Sequence, residues 1–124
     1  MKVLAISGSL RRDSLNTRLL RAAAELAPSG VEVELLDPAL LKELPIYDAD
    51  DDVVTPPVAV RRLRGAIRQA DALLIATPEY NGTIPGGLKN AIDWASRPYG
   101  NASLTGKPAA VLGATTGLFG AVWA

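Results

Sequence analysis

The stretch VLAISGSLRRDSLNT, Val3 to Thr17, decides how the rest of the chain is read. It opens with an apolar run, Val3-Leu4-Ala5-Ile6, of strand length. It then turns through Gly8 into short hydroxyl and amide side chains and two arginines, Arg11 and Arg12. Beyond the loop, Leu15, Leu19, Ala23 and Leu26 recur at helical spacing, and Pro28-Ser29-Gly30 is a stop signal. Strand, polar loop and helix in that order are the first part of a βαβ unit. The loop is unusual for a plain connection, because one helix start needs one capping residue and this stretch offers several, plus cations.

Three further apolar runs follow: Val31 to Leu36, Ala72 to Ala76, and Ala109 to Leu112. Most are near-continuous, as in parallel strands covered on both faces. The run from Val31 instead alternates Val31, Val33 and Leu35 with Glu32 and Glu34, which predicts an edge strand with one wetter face. Thr55-Pro56-Pro57 offers an N-cap and a first-turn proline to a second helix with the stripe Val60, Leu63, Ile67 and Ala70. Its arginines, Arg61, Arg62, Arg64 and Arg68, are expected on an ordinary solvated face. Leu88, Ala91, Ile92 and Ala95 mark a third helix beginning near Gly86-Gly87. Strands alternating with helices predict an α/β protein with a doubly wound parallel sheet. At 124 residues it reads as a single domain, 1–124.

Composition removes whole classes of chemistry. The chain has no cysteine and no histidine, so thiolate nucleophiles, Ser-His-Asp triads and histidine-ligated zinc are excluded. Thirteen basic and thirteen acidic residues balance, which argues against broad electrostatic binding to nucleic acid or anionic membrane. The N-terminus has no signal-peptide pattern, and no run nears the ~18 apolar residues of a membrane span. The expectation is a cytoplasmic protein, in which the sequons at Asn81 and Asn101 are chance matches. Asp37 to Thr55 reads as a long loop, and its segment DADDD, Asp48 to Asp52, as a solvated acidic run. It lacks the glycine and distal glutamate of a calcium loop.

In a parallel sheet, ligands bind beyond the carboxyl ends of the strands, where the strand order reverses. Three loops belong there. In the first, Ser9, Ser14, Asn16 and Thr17 can hydrogen-bond phosphate oxygens, Arg11 or Arg12 can pair with the charge, and the start of the helix favours an anion. The alternative is a helix start in which these side chains only cap backbone groups. Neither a Walker loop nor the dinucleotide glycine pattern is present, which points to a mononucleotide phosphate held without an essential metal. The second loop, Thr77 to Gly87, has three glycines and two prolines around Tyr80 and Asn81, a rigid frame suited to the edge of a flat heterocycle. A turn with Asn81-Gly82 in left-handed conformations is the simpler alternative. The third, Gly113 to Gly120, is rich in small residues that let backbone approach a ligand.

The segments GSLRRDSLNTRLL, PEYNGTIPGGLKNAIDWASRP and GKPAAVLGATTGLFG, in this order behind these strands, resemble the NAD(P)H-dependent FMN reductases. That family includes quinone, azo-dye and chromate reductases of flavodoxin-like fold. The resemblance runs from Met1 to about Gly120. It implies strand order 2-1-3-4, with Ser9, Arg11, Ser14, Asn16 and Thr17 holding the FMN phosphate. Pro78, Glu79, Tyr80, Asn81 and Gly82 would line the isoalloxazine, and Thr115, Thr116 and Gly117 its other edge. It also implies NADPH or NADH as co-substrate, a quinone-like small-molecule acceptor and a homodimer, with no catalytic acid or base. The chain ends at Ala124, where family members continue through a further helix, a fifth strand and a closing helix. Strand four is therefore expected at an edge with an uncovered apolar face. Two other readings are an electron carrier of flavodoxin type without turnover, and an inactive fragment of a reductase. The neutral charge and Arg11 and Arg12 favour the enzyme, since carriers usually surround the flavin with acid.

Overall fold

The computed structural model describes residues 1–52 and 54–124. All four apolar runs become strands: β1 (Lys2–Ser7), β2 (Glu32–Leu35), β3 (Ala72–Ala76) and β4 (Ala109–Leu112). The helices are α1 (Leu15–Glu25), α2 (Pro38–Glu43), α3 (Val58–Gln69) and α4 (Gly86–Ala95). The sheet is parallel, in the order β2-β1-β3-β4. Val3 lies beside Ala72 and Ser7 beside Ala76, and Leu73 to Ala76 lie beside Ala109 to Leu112. This is the flavodoxin-like, doubly wound arrangement expected from the sequence.

Alternate residues of β1 face opposite layers. Leu4 and Ile6 join Leu63, Ile67, Leu88 and Trp94 in a core under α2, α3 and α4. Ala5 faces the other way, with Leu20, Ala76 and the half-buried Leu35 and Leu74 under α1. One layer therefore has three helices and the other has one. The thin layer leaves an apolar groove of about 440 Å³, lined among others by Val3, Leu26, Val33, Leu74 and Ala110.

The two edges differ. On β2, Glu32 and Glu34 are exposed, and Glu34 pairs with Lys2 of β1 at 2.6 Å. That hydrogen-bonded, oppositely charged neighbour raises the Lys2 ammonium above its usual pKa. On β4, Ala109, Ala110 and Val111 are exposed and no charge intervenes.

Three expectations change. Pro38–Glu43 is a short helix, not loop; Asp37 caps it by accepting from Ala39 N at 2.9 Å, with Pro38 in the first turn. Thr55 does not cap α3, which starts at Val58 after Pro57 with no side-chain cap. Two successive prolines hold the preceding residues extended, so the helix cannot begin at Thr55. Arg64 is not on a solvated face: it is buried, at 5% exposure. Its Nε donates to Trp94 O at 2.9 Å, and its Nη2 lies 2.9 and 3.0 Å from the two Asp52 carboxylate oxygens. Asp52 thus leaves the acidic run to become half of a buried ion pair, while Asp48 caps the turn Ala49–Asp51. Among the described residues, no helix is long and apolar enough to cross a membrane.

Candidate functional site

Three loops leave the carboxyl ends of β1, β3 and β4 side by side. Gly8 N donates to Ala76 O at 2.7 Å, and Thr77 N to Leu112 O at 3.0 Å, so the ladder continues into the loops. Glycine makes room for close approach at two contacts. A Cβ on Gly8 would lie 2.9 Å from Leu88 Cδ2, and one on Gly113 would lie 3.0 Å from Thr77 O. The chain crosses from β2 over β1 to β3, so β1 and β3 flank the point where the winding reverses.

The first loop divides its polar side chains between structure and cleft. Ser14 caps α1, its Oγ accepting from Thr17 N at 3.2 Å; its own O–H remains free to donate. Asn16 is tied at both ends to Ala114 of the third loop: Nδ2 donates to Ala114 O at 3.3 Å, and Oδ1 accepts from Ala114 N at 2.8 Å. Thr17 Oγ1 meets Ser7 Oγ at 2.8 Å inside the protein. Ser9 is different. It is 4% exposed, yet its hydroxyl has no hydrogen-bond partner among the described residues. The N–H groups of Leu15 and Asn16, at the start of α1, also lack partners there.

In the second loop Tyr80 and Thr83 exchange backbone hydrogen bonds of 2.8 and 3.3 Å around Asn81 and Gly82. Both central residues have positive φ, 55° and 75°, as in a type I′ turn. In the third, Thr115 Oγ1 accepts from Gly117 N at 3.0 Å. The C-terminal turn returns over the site, with Trp123 N 3.4 Å from Glu79 Oε2 and the Phe119 and Trp123 rings 5.5 Å apart.

Together these loops enclose a cleft of about 260 Å³. Of the residues expected there, Ser9, Arg11, Ser14, Asn16, Pro78, Glu79, Tyr80, Thr115 and Thr116 line it. Thr17 is buried behind it, Asn81 and Gly82 form the exposed turn tip, and Gly117 lies outside the lining. The sequence reading missed Leu15, Ala114, Gly120 and Ala121, which line it too. Ala114 and Gly120 belong to the third loop, whose small residues were the signal, whereas Leu15 carries none and only the return of the C-terminal turn brings Ala121 in. Arg11 is the single cation and Glu79 the single acid of the lining. No cluster of potential metal ligands occurs among the described residues.

The Asn16–Ala114 clamp joins residues far apart in sequence, so its loss should reach beyond the site. Asn16→Ala removes two hydrogen bonds and leaves the Ala114 groups unpaired, at about 1–3 kcal/mol. A urea melt should show the loss as a lower midpoint at unchanged slope; an unchanged midpoint would mean that the clamp does not hold the loops.

The sequence model of the family described as NADPH-dependent FMN reductase matches residues 1–124. The chain belongs to the NADPH-dependent FMN reductase family. It is 52% identical over 120 residues to the NAD(P)H-dependent FMN reductase of Pseudomonas aeruginosa, which covers 97% of this chain and 63% of that protein. To a quinone reductase of Pseudomonas putida it is 44% identical over 118 residues, 95% of this chain and 62% of the other. The solved structure of FerB, a flavoenzyme NAD(P)H:(acceptor) oxidoreductase from Paracoccus denitrificans, superposes with a TM-score of 0.88 at 46% identity. That match covers 99% of this chain and 65% of FerB. The chain thus spans a little under two thirds of these FMN reductase relatives.

Proposed function

We propose that the cleft binds FMN, and that with NADPH or NADH the protein reduces a small electrophilic acceptor of quinone type. The observation that carries this reading is Ser9: a residue only 4% exposed whose hydroxyl has no partner among the described residues, lining a cleft at the start of α1 beside Arg11. Two unpartnered N–H groups, the O–H of Ser14 and one guanidinium add donors for a phosphate. The Pro78-Glu79-Tyr80 wall, braced by the turn behind it, is a rigid flat side suited to an isoalloxazine edge. The residues present fit the cofactor.

Bound FMN would supply the redox chemistry, accepting hydride from the nicotinamide and passing electrons to the acceptor. The protein's part is to hold the phosphate at Ser9, Ser14 and Arg11, and to fix the ring between the second and third loops. Thr17 acts behind this surface, tying α1 to β1, and Asn16, in the lining itself, ties the first loop to the third. A site with neither histidine nor cysteine is consistent with chemistry carried by a cofactor.

Anaerobic rapid mixing tests the reading. FMN-loaded protein should lose its absorbance near the visible flavin maximum on addition of NADPH or NADH, and a quinone should restore it. Steady-state rates should follow a ping-pong pattern. Retention of full colour with both nicotinamides would overturn the enzyme reading and leave a flavin-binding module.

A further inference from the structure

Helix α3 carries Arg61, Arg64 and Arg68 at spacings of three and four, so they share one face, with Gly65 among them. Together with Asp52, Pro56 and Pro98 they line a cavity of about 490 Å³ that shares no lining residue with the cleft at the strand ends. Asp52 is the only acid in this lining, and both its oxygens face Arg64 Nη2. Three guanidiniums against one carboxylate leave an excess of two positive charges. Arg62, on the neighbouring side, is already paired with Glu43 at 2.9 Å. Arg61 has no ion pair among the described residues, and Arg68 has one hydrogen bond, to Asn101 O at 3.2 Å.

Two further observations distinguish this cavity from a solvated basic face. Arg64 is held rigidly, yet its Nη1 makes no hydrogen bond among the described residues. The cavity is the space that Arg64 lines. The second is Gly65. Glycine weakens a helix interior relative to alanine, and packing does not demand it here, because a Cβ would meet nothing within 4 Å. The missing Cβ leaves room in a cavity that three guanidiniums line, with Gly65 and Arg61 shared with the neighbouring cleft beside Glu34 and Asp37.

We propose that this cavity is a second ligand site, for a phosphate-class oxyanion. A fixed guanidinium, two exposed guanidiniums beside it and an uncovered stretch of helix suit a compact, multiply charged anion with several acceptor oxygens. The ligand would be inorganic phosphate, diphosphate or the phosphoryl group of a small ester. The site stands independently of FMN binding.

Titration of the full chain with inorganic phosphate, followed through the assigned arginine Nε–Hε NMR signals at constant ionic strength, tests it. The Arg61, Arg64 and Arg68 signals should move saturably, while acetate at the same concentration leaves them in place. Glycerol phosphate should compete at the same signals if the phosphoryl group of an ester is accepted; inorganic phosphate alone producing the shift would make the free ion the ligand. Removing two charge-assisted partners in Arg61→Ala/Arg68→Ala should weaken binding about tenfold or more. Gly65→Ala should raise the melting temperature and still weaken phosphate binding, a combination that damage to the fold cannot produce. Equal response to acetate, a linear drift without saturation, or full affinity in Gly65→Ala would each overturn the proposal. Response of the Arg11 signal alone would assign the binding to the strand-end cleft and overturn it too.

Discussion

FMN should bind the flavin-free chain at least about a hundredfold more tightly than riboflavin, because two hydrogen bonds to a charged group are worth about 1.5–3 kcal/mol each. Riboflavin carries the same ring and ribityl chain and lacks only the phosphate. Ser9, Ser14, Arg11 and the free N–H groups of α1 are donors suited to that phosphate's charge. Quenching of flavin fluorescence measures both affinities in the same buffer. Arg11 is exposed, so its share should fade with added salt, while that of the buried Ser9 should persist. Equal affinities for the two flavins would remove the phosphate cradle from the first loop. NAD(P)H oxidation could survive that result, so the two tests fail separately.

Loss of Asp52 should be strongly damaging to stability. The side chains of Arg64 and Asp52 are only 6% and 10% exposed. Removing one member of a buried pair leaves an uncompensated charge and typically costs about 3–5 kcal/mol. Against the ~5–15 kcal/mol that holds a domain folded, Asp52→Ala should bring the chain close to unfolding at room temperature. Urea denaturation reads the effect directly. Replacing both partners, Asp52→Ala with Arg64→Leu, should recover part of the loss, since no charge is then left buried. A loss below about 1 kcal/mol would put the pair in the class of exposed surface bridges.

The parts of this fold that were legible in sequence are those written in local pattern. Val3 to Ile6, Ala72 to Ala76 and Ala109 to Leu112 are apolar runs too short for helices, and each became the strand expected. The alternation of Glu32 and Glu34 with Val33 and Leu35 placed β2 at an edge, where the sheet has it. Helix α2 escaped because its six residues show no full stripe, although Asp37-Pro38 is a cap followed by a first-turn proline and could have announced it. Arg64 was misassigned for a different reason. Helical periodicity says which way a residue points on its own helix, and cannot show that Asp52 will fold over it. The site followed the same division. Serines and arginine behind a strand can be read locally, as an anion site or as helix caps, and Ser9 and Arg11 do line the cleft. That Asn16 would clamp Ala114, ninety-eight positions away, is a property of the assembled loops and has no local signature.

The contrast between the two sheet edges also decides where the sheet can accept another strand. Pairing across an edge needs bare backbone and tolerant side chains, which β4 offers and β2, with Glu32 and Glu34, opposes. A strand added to this sheet, from the same polypeptide or from another molecule, would therefore enter beside β4. The sheet is built to grow in one direction, and the charged strand marks the side on which it stops.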